Sequence, residues 1–213
     1  MKTLQPLTPI NKTLLDDFAA CFKPVKKTYS RGEVIMRLDD DNKSVGILIS
    51  GTAHLITTTF DGTKTIIDYF EQGGIFGRRF SPGTQTDPYT VIAKNRCTVW
   101  LVDYLKVITP CEKRCDKHIR LIDTMLLTMA QRAQLHVEVL GKRTIRGKLL
   151  SYFYHLSKAR NARTFTLPLS LSDLADYISA DRSAMMRELK KLNEEKILIS
   201  HACKITILKI IPL

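Results

Sequence analysis

Between Thr28 and about Asp103 the chain runs in short β-prone stretches of apolar and polar residues, punctuated by Gly32, Gly46, Gly51, Gly62, Gly73, Gly74, Gly77 and Gly83. SVGILIS stops at Gly51, AHLITTTF meets the pair Asp61-Gly62, and TKTIIDYF follows it. An Asp-Gly pair between strand formers is a hairpin signal, because the tight turn needs residues that tolerate positive φ. Short strands separated by turn residues predict a compact antiparallel barrel or sandwich over residues 28–103. A short helix around Leu14 to Phe22 is expected ahead of it.

From about Asp116 the period changes. Ile119, Ile122, Leu126, Met129, Ala133, His136 and Leu140 recur at alternating intervals of three and four, the spacing of a coiled-coil seam. The stripe is long and joins a β-rich region to a helical one. It therefore predicts a parallel two-helix dimer interface in preference to a core helix of a single domain. Gly141 can break this helix, and KRTIRGKLLSYFYHLSKAR then offers a second amphipathic helix with Leu149, Leu150, Phe153 and Leu156 toward one core.

The segment SLSDLADYISADRSAMMRELKKLNEEKIL places Leu171, Leu174, Ala175 and Ile178 on one helical face and breaks at Ser179-Ala180. A further helix starts at about Asp181, a good N-cap. It turns Met185, Leu189 and Leu192 inward and leaves Arg182, Ser183, Met186, Arg187 and Lys190 outside. The tail ILISHACKITILKIIPL predicts two strands joined by a tight turn at His201 to Lys204.

Charge changes this picture. The formal net charge is +12. Residues 1–110 hold 14 Lys+Arg against 11 Asp+Glu, a net of +3, whereas residues 111–213 hold 19 against 10, a net of +9. Gly141 to Ser172 carries seven basic side chains (Lys142, Arg143, Arg146, Lys148, Lys158, Arg160 and Arg163) and no carboxylate. A polyanion is the expected partner, and phosphate contact competes with a solvated basic face as the reading of that stretch. Two short helices, the second basic at its N-terminal end, match the way a recognition helix enters the major groove, where Arg can grip guanine O6 and N7. Asp181, Arg182, Ser183, Met186, Arg187 and Lys190 are the DNA-binding candidates.

Other chemistries find less support. No HExxH, phosphate-binding Gly loop or C-x-x-C in a βαβ context occurs, so no catalytic residue is assigned. The β-rich region lacks the exposed-aromatic repeat that stacks single-stranded bases. No window approaches the roughly 20 apolar residues of a membrane span, so a soluble cytoplasmic protein is expected. The cysteines at 21, 97, 111, 115 and 203 are odd in number and read as reduced thiols. Cys111, Cys115 and His118 form a C-x3-C-x2-H spacing, the weak candidate for a metal or redox site; a closed metal site needs about four ligands, and none is assigned. A thiol or metal redox sensor, or a nonspecific nucleic-acid-binding protein, are the alternatives.

DLADYISADRSAMMRELKKLNEEKILI, preceded in the chain by LISGTAHL and GGIFG, resembles the CRP/FNR (cyclic-AMP receptor protein and fumarate-nitrate regulator) superfamily over essentially the whole length. The resemblance implies an α+β protein with three parts. These are a β-roll sensor of the cyclic-nucleotide-binding jelly-roll type (1–110), a dimerisation helix (111–140) and a winged helix-turn-helix domain (141–213). It implies a homodimeric bacterial transcription regulator on double-stranded DNA, with near-palindromic half-sites about one turn apart and RNA polymerase as a further candidate partner. Arg182 and Arg187 match positions where the family contacts DNA. Ser183 stands where many members carry a base-reading Glu, so the operator should differ from the usual consensus. In cyclic-nucleotide binders a Gly-Glu pair holds the ribose and an Arg the cyclic phosphate. Here Arg78 follows Gly77, and TDPYTV around Pro88 offers no Arg. The expected effector pocket (Phe76, Gly77, Arg78, Arg79, Pro88, Tyr89) should therefore not take cyclic AMP or cyclic GMP. No cofactor is expected, and Arg78 and Arg79 suit another small anion.

Overall fold

The computed structural model describes residues 16, 19–39, 42–58, 64–77, 89–109 and 116–209. It divides into two compact units, one within Pro9–Met129 and one within Ala130–Leu213. No helix among the described residues is long and apolar enough to cross a membrane.

The N-terminal unit contains the strands β1 (Val25–Tyr29), β2 (Val34–Arg37), β3 (Ser44–Ser50), β4 (Ala53–Thr58), β5 (Lys64–Phe70), β6 (Ile75–Gly77), β7 (Thr90–Ala93) and β8 (Cys97–Asp103). They pair antiparallel in two four-stranded sheets, ordered β1-β8-β3-β6 and β2-β7-β4-β5. The expected strands SVGILIS, AHLITTTF and TKTIIDYF are β3, β4 and β5, and the last two form a hairpin with Ala53 opposite Phe70. Its Asp61-Gly62 turn lies outside the described residues, as does most of the helix expected at Leu14 to Phe22; residues 19–22 are helical.

One core cluster gathers Leu48, Leu55, Phe70, Phe76, Val91 and Val99. A second gathers Phe22, Val45, Ile47, Ile75, Val102, Val107 and Met125. Ile47 and Leu48 are neighbours in β3 yet both fully buried, because each side of that strand is covered. This is why SVGILIS is a continuous apolar run and does not alternate. Each such Leu or Ile contributes roughly 1.5–3 kcal/mol by leaving water. The short helix α1 (Tyr104–Ile108) supplies Val107 to the second cluster and is started by Asp103, whose carboxylate accepts from the Leu105 amide at 2.8 Å.

Gly51 turns the chain from β3 into β4 at φ +94°, and a Cβ there would lie 2.5 Å from the Arg96 carbonyl and 2.8 Å from the Cys97 sulfur. Gly51→Ala should destabilise this unit by roughly 2–4 kcal/mol, combining backbone strain with overpacking. Calorimetry would show it as a lower Tm, and an unchanged Tm would refute this account of the turn.

The helix α2 (Asp116–Leu140) follows. The C-terminal unit continues with α3 (Ile145–Arg160), β9 (Thr164–Thr166), α4 (Leu171–Tyr177), α5 (Arg182–Glu194), β10 (Leu198–His201) and β11 (Lys204–Ile207). The strands form one antiparallel sheet in the order β10-β11-β9. The tight turn predicted at the end of the chain joins β10 to β11, with Ala202 at φ +50°. Leu149, Phe153 and Leu156 of α3 face the core as expected, but Ser151 and Tyr152 are buried as well, and Leu150 is only partly so.

Candidate nucleic-acid interface

The two helices are built by local signals. Ser170 caps α4, accepting from the Asp173 amide at 3.2 Å and donating to the Asp173 carboxylate at 2.6 Å. The first bond is an ordinary serine N-cap, and the second ties the capping hydroxyl to the side chain three residues on. Leu174, Ala175 and Ile178 are buried. The helix then stops at Ser179, whose φ of +50° turns the chain, while the Ala180 amide reaches back to the Ala175 carbonyl at 2.9 Å. Asp181 starts α5 by accepting from the Ala184 amide at 2.7 Å. One of its carboxylate oxygens thus serves the helix end as a cap, and the side chain is exposed there. Met185, Leu189 and Leu192 are buried, as their spacing predicted, and Arg182, Ser183, Met186, Arg187 and Lys190 are exposed together on the outer side. Lys190 lies 3.8 Å from Glu194 one turn on, a solvated pair worth little.

Asn193, which the sequence reading passed over, joins this helix to the strand that follows. Its amide nitrogen donates to the Leu189 carbonyl at 2.8 Å and to the Ser200 hydroxyl at 2.7 Å, and its oxygen accepts from the Ser200 amide at 2.7 Å. Only the residue type and its place after the helical stripe hinted at that role.

The basic stretch 141–172 resolves into paired and unpaired cations. Arg146 bridges a carboxylate of α5 and that of its C-cap residue: Nη1 lies 3.1 Å from Glu188 Oε1 and 2.9 Å from Glu195 Oε1, and Nη2 donates to Glu195 Oε2. The hydrogen bond to Glu195, ahead of the pairing with Glu188, raises the Arg146 pKa, and the same hydrogen bond lowers that of Glu195. Lys148 donates to the Ile178 carbonyl at 2.8 Å and lies 3.4 Å from that of Ser179. Lys158 sits 5.5 Å above the Tyr154 ring and Arg160 donates to the Thr166 carbonyl. Four of the seven cations, Arg146, Lys148, Lys158 and Arg160, thus have partners within the unit.

The predicted dimer stripe is redistributed in α2. Ile122 packs partly buried against the second core cluster, and His136 stands edge-on to Tyr177 at 5.0 Å. Met129 and Leu140 are half-buried. Ile119 and Leu126 are 60% and 54% exposed, and Ala133 is exposed too. The apolar positions left outside also include Ala130 and Val137, the latter 70% exposed. The open seam therefore runs Ile119, Asp123, Leu126, Ala130, Ala133, Val137, turned by roughly 40–60° from the expected one at 3.6 residues per turn. The difference in exposure has a simple cause: Ile122, Met129 and His136 lean toward the side of the helix that already buries His118, Met125, Leu135 and Val139.

In the N-terminal unit Phe76 has no exposed surface. Its ring packs 5.1 Å from Phe70, and a Cβ on Gly46 would lie 2.2 Å from it. It is a core residue and does not line an open pocket. Gly77 pairs with Val45 in the sheet, and Tyr89 is half-buried beside the same core. Arg78, Arg79 and Pro88 lie outside the described residues, as do Cys111 and Cys115. His118 is buried with its ring 5.0 Å from that of Phe22. Among the described residues no group of three metal-ligating side chains occurs. Cys97 is buried, and desolvation raises its thiol pKa against hydrogen bonds that lower it, which leaves it a poor nucleophile.

Comparison with known proteins agrees with this division. Residues 26–113 match the model of the cyclic nucleotide-binding domain, and residues 147–211 match that of the Crp-like helix-turn-helix domain. The transcriptional activator protein FnrL of Cereibacter sphaeroides is 25% identical over 185 residues, covering 81% of this chain and 71% of its own. The structure of FixK2 from Bradyrhizobium japonicum superposes with a TM-score of 0.68 at 21% identity, covering 87% of this chain and 93% of that one. OCPA-complexed CprK gives a TM-score of 0.72 at 17% identity over 97% of both chains. With a cyclic-nucleotide-binding-type β-domain followed by a Crp-like helix-turn-helix that binds DNA, the chain belongs to the CRP/FNR family of transcription regulators, which are not enzymes.

Proposed function

We propose that the protein is a homodimeric, cytoplasmic regulator that binds a near-palindromic operator, with residues 1–110 as sensor, 111–140 as dimerisation helix and 141–213 as DNA-binding domain. The observation that carries this reading is the outer side of α5, where Arg182, Ser183, Met186 and Arg187 stand exposed over a buried Met185, Leu189 and Leu192. A helix held from behind with two Arg on its leading turns can insert into the major groove and grip guanine edges. The exposed seam of α2 supplies the self-complementary surface a two-fold dimer needs. RNA polymerase is the natural further partner at a promoter.

The effector is a small molecule other than cyclic AMP. Arg78 in place of an acidic ribose acceptor supports this, and CprK, solved in complex with OCPA, is a relative whose ligand is not cyclic AMP. Selection from a randomised duplex pool, followed by binding and calorimetry, tests the reading. A two-fold-symmetric sequence bound by a dimer, with no cyclic-AMP heat, is expected. Equal binding to every duplex, falling steeply with salt, would refute the operator, and micromolar cyclic-AMP affinity would refute the effector.

A further inference from the structure

Helix α3 begins with an electrostatic oddity. Its first turn holds no acidic residue, yet Arg146 and Lys148 stand within its first four positions, at the end where the helix dipole disfavours cations. Each is offset by negative charge from the helix-turn-helix. Arg146 meets Glu188 in the middle of α5 and Glu195 at its end, and Lys148 meets the carbonyls of Ile178 and Ser179, at the negative end of α4. Thr144 fixes the same turn by capping α3, accepting from the Gly147 amide at 3.0 Å. One turn of α3 thus grips the recognition helix at two points and the elbow before it at a third.

We propose that Arg146 and Lys148 are positioning residues of the DNA interface. They set the angle between elbow and recognition helix and do not themselves touch phosphate. The inference rests on the helix-turn-helix reading of α4 and α5. Arg146 already makes three hydrogen bonds to carboxylates, and a Lys directed into a helix C-terminus is not free to follow a DNA backbone.

The test compares the full-length protein with Arg146→Gln and Lys148→Met on the selected operator and on a scrambled duplex, from 50 to 200 mM salt. Operator affinity should fall roughly three- to tenfold per substitution. Scrambled-duplex binding and the slope of log K against log salt should be unchanged. Lys148→Arg should restore binding, because a guanidinium still reaches the Ile178 carbonyl, whereas Arg146→Lys should not, because an ammonium lacks the planar fork that holds Glu195 through both oxygens while also reaching Glu188. A slope shallower by about 0.9 per lost cation, with both duplexes weakened in parallel, would show phosphate contacts and overturn the proposal. Unaltered operator affinity would overturn it too. If either variant fails to fold, Glu188→Gln with Glu195→Gln tests the same strut from the other side. Positioning predicts weaker operator binding, and a freed phosphate-binding Arg146 predicts stronger. Failure of the wild type to prefer its operator would instead strike the underlying function.

Discussion

Leu126→Glu should leave the protein monomeric and weaken binding to the full two-half-site operator by roughly a hundred- to ten-thousandfold, while binding to one half-site is unchanged. Leu126 is 54% exposed between Ile119 at 60% and Val137 at 70%, with the small side chains of Ala130 and Ala133 between them. Large apolar surface repeated along one side of a helix is costly in water, and in the proposed dimer a second copy of the same seam would remove it. The alanines allow close approach. A glutamate at this position would face its own copy across the two-fold axis and would have to be desolvated there. Asp123 already interrupts the seam, so Asp123→Leu should tighten the dimer. Sedimentation equilibrium reads both changes. A dimeric Leu126→Glu protein with full operator affinity would place the interface elsewhere.

Arg187→Ala should lower operator affinity by about 1–3 kcal/mol, roughly five- to 150-fold, and relax the preference at one base pair of each half-site. Arg187 lies on the exposed side of α5 directly behind Met186, which is 39% exposed, and among the described residues no carboxylate pairs with it. Arg182 stands one turn nearer the helix start and should act on a neighbouring base or phosphate. Repeating the selection with the variant protein separates these outcomes. A broadened motif at a single position marks a base contact, and a uniform loss with an intact motif marks a phosphate contact.

The sequence made the helix-turn-helix legible because every signal for it is local. Ser170 and Asp173, then Asp181, announce the helix starts, and the spacing of Met185, Leu189 and Leu192 gives the buried side. The β-domain was legible through its glycines. The seam of α2 was legible as a helix but not in its register. Apolar side chains occupy most of the circumference, and which stripe stays open depends on what the neighbouring folds bury, a tertiary fact that spacing does not carry. Arg146 and Lys148 looked like phosphate ligands because counting charges cannot tell a cation paired 42 residues along the chain from one in solvent. Three-residue β9 was missed: TFT alternates, but a run so short before Pro168 is no strand signal by itself.

That short strand gives the order of synthesis a physical meaning. Among the described residues β9 pairs with β11 alone, with Thr166 opposite Lys204 and Thr164 opposite Thr206, and β10 pairs with β11 from the other side. A nascent chain that has emerged only as far as Ser200 already contains the recognition helix, yet it holds two unpaired strand edges and lacks Ile205 and Ile207 from its core. The helix is made before the strand that completes the sheet beside it, so its unit gains its last buried isoleucines only when synthesis is almost over.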